Sequence, residues 1–163
     1  MLGLGWPVVW FGVAVILSVW VAFDGNLVVG GLFKGLAHVA VAVNSIDEAL
    51  RVFEGQLGFK LEKRRTVEGQ RLKAALLEVG GVRFELLEPL DKESTVGKFL
   101  EKRGEGLHHV ALRVTDIEGH LEELKKKGVR LIDEKPRIGM EGGKIAFLHP
   151  GSAKGVLIEL VEG

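Results

Sequence analysis

His38, Glu85, His109 and Glu159 are the residues of this chain whose types and spacing could do chemistry. His38 opens the run His-Val-Ala-Val-Ala-Val, and His109 opens His-Val-Ala-Leu-Arg-Val. Glu85 sits in Phe-Glu-Leu-Leu-Glu, and Glu159 in Ile-Glu-Leu-Val-Glu. A module that recurs and supplies one imidazole and one carboxylate per copy can enclose a divalent cation between the copies. Two neutral imidazoles with two carboxylates suit a mid-row divalent ion and leave two positions open in octahedral geometry. Zinc is also possible, though it more often settles into a tetrahedral site. A carboxylate in the middle of an apolar strand either faces solvent or meets a cation, because an unpaired buried charge is costly. Alternation along a single strand would give the solvent answer. Both copies placing a Glu this way, each with a His that opens a strand, raises the metal answer.

The elements that must position these residues follow from hydrophobic period and turn chemistry. In the first copy His38 to Val43 reads as a strand. Ser45 then caps a helix, with Glu48 three residues on, running to about Gly55 with Ile46, Leu50 and Phe53 on one face. Lys60 to Arg65, Arg71 to Val79 and Val82 to Leu87 read as strands, the last two joined by a Gly80-Gly81 hairpin. In the second copy His109 to Val114 is a strand, and Asp116 caps a helix through Lys127. Val129 to Asp133, Lys144 to Leu148 and Gly155 to Val161 are further strands, with Ile138 to Gly143 as a loop. Ser94 caps a short linking helix, Thr95 to Lys102. Each copy is a βαβββ module, and neither can bury both faces of four strands alone. The expected fold is therefore α+β: two paired βαβββ modules forming a curved eight-stranded mixed sheet around a metal cleft. The expected boundaries are 33–90 for module one, 91–106 for the linker helix and 107–163 for module two, together one domain. By strand alternation His109, Ala111 and Arg113 share one face, and His108 the other.

Composition narrows the function. The chain has 163 residues, 22 basic and 22 acidic side chains and no Cys. Thiolate nucleophiles, zinc–thiolate sites and disulfides are excluded, and no concentrated basic surface argues for nucleic acid. No phosphate-loop motif or nucleophile elbow is present. Residues 1–32 differ in kind, with an uncharged run from Leu2 to Phe23. That run approaches the roughly 20 apolar residues of a bilayer span, but no basic n-region marks a signal peptide. A membrane anchor, a signal peptide and a mis-assigned start near Val28 to Leu32 compete, and we favour the mis-assigned start. The expected location is cytoplasmic, or membrane-anchored if the leader is retained.

From about Leu32 to Glu162 the residues carry a resemblance. The stretches His-Val-Ala-Val-Ala-Val, Glu-Leu-Leu-Glu-Pro, Gly-Leu-His-His-Val-Ala, Pro-Arg-Ile-Gly, Phe-Leu-His-Pro and Lys-Gly-Val-Leu-Ile-Glu-Leu resemble the methylmalonyl-CoA epimerases of the vicinal oxygen chelate superfamily. The resemblance implies a homodimer acting on methylmalonyl-CoA, interconverting its (R) and (S) forms in propionyl-CoA metabolism. It implies a divalent metal, most often Co2+ with Mn2+, Ni2+ or Zn2+ as alternatives, held by His38, Glu85, His109 and Glu159. Some relatives carry Gln at the position of Glu85. Some also place a second catalytic Glu four residues after the position of Gln70, and here that residue is Ala74. Glu159 is then the candidate for one proton-transfer role. Lys73, Glu78 and a water on the metal are weaker candidates for the other. Gln70 and Lys154 are weak substrate-binding candidates, and Gly139, Gly142, Gly143, Ser152 and Gly155 lie in loops that could meet CoA phosphates. Bland roles are expected for His108 (structural), His120 (exposed on its helix) and His149 (ordering a loop). Competing activities are another metalloenzyme of the superfamily, such as a lactoylglutathione lyase, and a small-ligand-binding protein of the same fold. An extradiol dioxygenase would want only one carboxylate ligand, so Glu85 argues against it.

Overall fold

The computed structural model describes residues 20–21, 27–28 and 33–163. The leader expectations fall almost wholly outside these residues; within 1–32, β1 (Trp20–Val21) and β2 (Leu27–Val28) form an antiparallel pair. Among the described residues no helix is long and apolar enough to cross a membrane. A second compact unit, Phe33–Gly163, holds every candidate residue.

This unit is built around one eight-stranded mixed sheet. The strands are β3 (Gly35–Ala42), β4 (Lys60–Val67), β5 (Leu72–Val79), β6 (Val82–Pro89), β7 (Gly106–Val114), β8 (Arg137–Ile138), β9 (Lys144–Leu148) and β10 (Ile158–Glu162), in the order β4-β5-β6-β3-β7-β10-β9-β8. The order is the same read from either end, module by module. β3 and β7 meet antiparallel at the centre, and each is flanked by a parallel neighbour, β6 or β10. The α+β reading with an eight-stranded mixed sheet is the fold observed.

The helices are α1 (Ile46–Phe53), α2 (Thr95–Arg103) and α3 (Ile117–Lys126). Each is capped by the residue its sequence offers: Ser45, Ser94 and Asp116 accept a backbone N–H from the first turn. The modules share a second device. The Ile46 N–H donates to the Glu88 carboxylate at 2.8 Å, and the Ile117 N–H donates to Glu162 at 3.1 Å. The strands that carry Glu85 and Glu159 thus end in a carboxylate that fixes where their helix begins.

One face of the sheet is covered by α1 and α3. Ile46 and Leu50 pack on Ala75, Leu77 and Leu86 in module one, and Ile117, Leu121 and Leu124 pack on Ala146, Leu148 and Leu160 in module two. The other face is left for the site, except at the module-one end. There Val96 and Phe99 of α2 lie against Ala40, Ala42, Leu72, Ala74 and Leu87.

Two expectations change. Val129 to Asp133 is no strand: it makes one isolated bridge, Leu131 to Leu148, and the Ile132 and Asp133 N–H groups both donate to the Phe147 carbonyl. The edge strand lies beyond Pro136, at Arg137–Ile138, overlapping only the first residue of the expected loop Ile138 to Gly143. Val129 and Leu131 owe their apolar alternation to packing on the α3 core rather than to a ladder. His120 is buried, not exposed; its ring contacts the Asp116 carbonyl and faces Phe33.

Candidate metal centre

The four candidate residues come from the four central strands, and the register explains their convergence. His38 pairs with Ala111, which pairs with Glu159; His109 pairs with Ala40, which pairs with Glu85. Directly paired residues share a face of a sheet, so all four side chains rise from one face around two alanines. Ala40 and Ala111 are fully buried, and a larger side chain at either would stand where the four groups meet.

Each histidine follows a break in the β3–β7 ladder. The pairing skips Ala37 just before His38, and skips His108 just before His109. A bulge lets two successive side chains approach one face. This corrects the expectation for His108: it lines the same cavity as His109, with Nδ1 of the two rings 2.8 Å apart. Phe99 meets its ring edge-on at 4.9 Å between centroids. Burial, with the neighbouring His109, lowers the His108 pKa to about 4, so its ring stays neutral. A neutral His108 can accept the Nδ1–H of His109, which leaves the His109 Nε2 lone pair free to bind.

The reactive atoms form a tight triangle. His38 Nε2 and His109 Nε2 are 3.2 Å apart, and each is 3.2 Å from Glu159 Oε2. Glu85 Oε2 stands 3.6 Å from His38 Nε2. Donor edges of this length suit an ion at about 2.0–2.2 Å from each donor, where right angles require about 3.0 Å and tetrahedral angles about 3.4 Å. Glu159 Oε2 is buried with no hydrogen-bond partner, although two imidazole nitrogens face it. Two buried carboxylates stand beside two imidazoles, and among the described residues no Lys or Arg is buried with them. A divalent ion would answer these features: His38, His109 and Glu159 each offer one ligand atom within 4.8 Å of the others, while Glu85 stands outside that group, 3.6 Å from His38.

The protonation states record the same crowding. Burial raises the Glu85 carboxyl to about 7, against the pull of His38. Burial would also raise Glu159, but the His109 and His38 imidazoles more than offset it and hold that carboxyl at about 2. Burial works to lower His38, yet Glu159 and Glu85 outweigh it and leave the pKa raised.

The centre opens on a cavity of about 700 Å³. Gln70, on the 3₁₀ turn Glu68–Gln70, is on its lining, as are Ala74, Gly139, Met140 and Gly143. Lys154 is not, nor are Gly142, Ser152 and Gly155. Lys73 pairs with Glu88 at 2.6 Å, and Glu78 accepts the Gly81 N–H at 2.7 Å in the hairpin; neither lines the cavity. His149 accepts the Gly151 N–H and so orders its turn, as expected. The loop over the cavity is tied down where Arg65 of β4 donates to the Met140 carbonyl and Arg83 meets Glu141 at 3.7 Å. A side chain at Gly139 would displace Ile145, because a Cβ there would stand 2.6 Å from its Cγ2.

Comparison with known proteins places this architecture. Residues 37–147 match the sequence profile of the Glyoxalase/Bleomycin resistance protein/Dioxygenase superfamily. An uncharacterized protein of Bacillus subtilis is 43% identical, covering 78% of this chain and 91% of that protein. The human mitochondrial methylmalonyl-CoA epimerase is 33% identical, covering 77% of this chain and 72% of that protein. A solved structure of a methylmalonyl-CoA epimerase in complex with methylmalonyl-CoA and NH4+ superimposes with a TM-score of 0.76 at 34% identity, covering 80% of this chain and 95% of that one. The chain belongs to the glyoxalase/bleomycin resistance/dioxygenase superfamily and, within it, to the family of the methylmalonyl-CoA epimerases.

Proposed function

We propose that this protein interconverts the (R) and (S) forms of methylmalonyl-CoA, using a divalent metal held by His38, Glu85, His109 and Glu159. The observation that carries the reading is the 3.2 Å triangle of His38, His109 and Glu159 with its unsatisfied buried carboxylate oxygen, at the floor of a cavity in a chain of the epimerase family. We assign Co2+ as the ion, with Mn2+, Ni2+ and Zn2+ as alternatives, and a homodimer as the working assembly; both rest on the family resemblance.

The C2 proton of a malonyl thioester lies between two carbonyl carbons, and its removal leaves negative charge on the thioester oxygen. A divalent ion supplies Lewis-acid stabilisation of that charge. The protein supplies the rest. Glu159 is the candidate for one proton-transfer role, once its bond to the metal loosens; the neighbouring imidazoles favour its ionised form. Ala40 and Ala111 keep the floor low enough for a substrate to approach the four ligands. Ala74 offers no proton where some relatives carry a carboxylate, so the chain does not copy a two-carboxylate relay. Gln70 on the cavity wall is a hydrogen-bonding contact for the substrate, while Lys154, outside the lining, can meet only its outer parts.

The test is deuterium exchange at C2 of methylmalonyl-CoA. Cobalt-loaded protein should wash solvent deuterium into C2 well above the uncatalysed rate. Exchange at background level would end the epimerase reading.

A further inference from the structure

The candidate ligands repeat module by module in the sheet, although their side chains are not equivalent: Glu159 stands 3.2 Å from both imidazoles and Glu85 3.6 Å from His38. A malonyl thioester is also asymmetric, with a free carboxylate at one end and a thioester at the other. A cationic group beside the ligands would recognise the carboxylate end.

The sheet shows where the repeat breaks. The next row on the ligand face runs Ala42–Leu87–Ala74–Arg65 in module one and Arg113–Val161–Ile145–Arg137 in module two. The rows correspond strand for strand, and both outer members are arginines. The inner members differ. Ala42 is fully buried among side chains that pack with Val96 of α2. Its counterpart, Arg113, lines the cavity, and among the described residues no helix corresponds to α2 at the module-two end.

Arg113 is also unsatisfied. The other arginines lining the cavity have partners: Arg65 has the Met140 carbonyl, Arg71 has Asp91, Arg83 has Glu62 and Glu141, and Arg137 has Asp133 and the face of Phe147. Arg113 is half-buried, and among the described residues its guanidinium has no carboxylate or carbonyl. A cation so placed lacks both full hydration and a counter-charge, a cost that an anionic ligand relieves. Its position suits the task. Arg113 pairs with Val161, so it is the diagonal neighbour of Glu159. Diagonal neighbours stand about 7–8 Å apart, within reach of an extended arginine.

We propose that Arg113 receives the free carboxylate of the substrate and so selects malonyl-type thioesters and fixes their orientation across the metal centre. This rests on the epimerase reading for the identity of the substrate. The chemistry is that of a guanidinium fork holding a carboxylate.

The experiment measures binding of malonyl-CoA and propionyl-CoA to metal-loaded wild type, Arg113→Met and Arg113→Lys by calorimetry, with metal content determined on each sample. The two thioesters share every CoA contact and differ in the carboxylate. Arg113→Met should weaken malonyl-CoA by about 30-fold or more while leaving propionyl-CoA within about threefold, and Arg113→Lys should recover part of the loss. Equal weakening of both thioesters would assign Arg113 to the CoA phosphates and overturn the proposal, as would no change in either. If Arg113→Met fails to keep its ion, Arg113→Gln carries the same comparison. C2 exchange by the wild type is measured alongside. Absent exchange with an intact malonyl preference would remove the epimerase reading and leave the carboxylate site standing.

Discussion

Burial leaves the Glu85 carboxyl at about 7, and the carboxylates around His38 hold its imidazole above the ordinary value. Without a cation Glu85 therefore holds a proton up to about pH 7, and His38 holds its proton more tightly than an ordinary imidazole, so an incoming ion competes with protons at both. The sign follows directly: as pH falls through about 7, protonated Glu85 competes with the metal, and each displaced proton weakens apparent affinity about tenfold per pH unit. Metal affinity should therefore drop steeply between about pH 7.5 and about pH 5.5, as read by competition with a coloured chelator. Glu85→Gln keeps an oxygen donor but cannot be protonated, so the slope of affinity against pH should fall by about one proton. An unchanged slope would place Glu85 outside the coordination sphere. His109→Ala makes a different prediction. It removes one corner of the donor triangle, so the purified variant should retain no stoichiometric metal and show no C2 exchange. Full activity at unchanged metal content would refute the site.

The ladder breaks at Ala37 and His108 matter at the scale of the element, because they turn ordinary strands into ligand platforms. His108 occupies the break beside His109 and holds its Nδ1. Replacing such a supporting partner commonly costs about 10–100-fold in metal affinity. His108→Ala should show a loss of that size while its far-ultraviolet circular dichroism stays that of wild type; wild-type affinity would make His108 a packing residue only. This role was hidden in the sequence for a physical reason. Period-two alternation puts neighbours on opposite faces, and only the pairing of two strands shows where one gains an extra residue. Val129 to Asp133 was misread on related grounds, since alternation records burial and not hydrogen bonding. His120 was legible and missed: Ile117, His120, Leu121 and Leu124 fall at helical spacing on the one buried face of α3. The strands bearing the ligands, the helix caps and the Gly80-Gly81 hairpin could all be read, because each rests on local periodicity or a local capping bond.

At the scale of the whole molecule, the proposed ligands divide between the halves. Module one would contribute His38 and Glu85, and module two His109 and Glu159. The halves otherwise join chiefly along the antiparallel β3–β7 seam. A bound ion therefore fastens one half to the other and binds only when both are folded. Such binding stabilises the native state by mass action, by about 2.7 kcal/mol at a free metal concentration one hundred times the Kd. For a chain of this size that corresponds to a rise in Tm of about 5–10 °C. Calorimetric scans should show Tm falling by that amount when a chelator strips the metal and recovering when cobalt is restored. In His109→Ala the Tm should not respond to either treatment. A metal-dependent Tm that survived the loss of His109 would mean that the stabilising ion sits elsewhere, and the bridge between the modules would have to be abandoned.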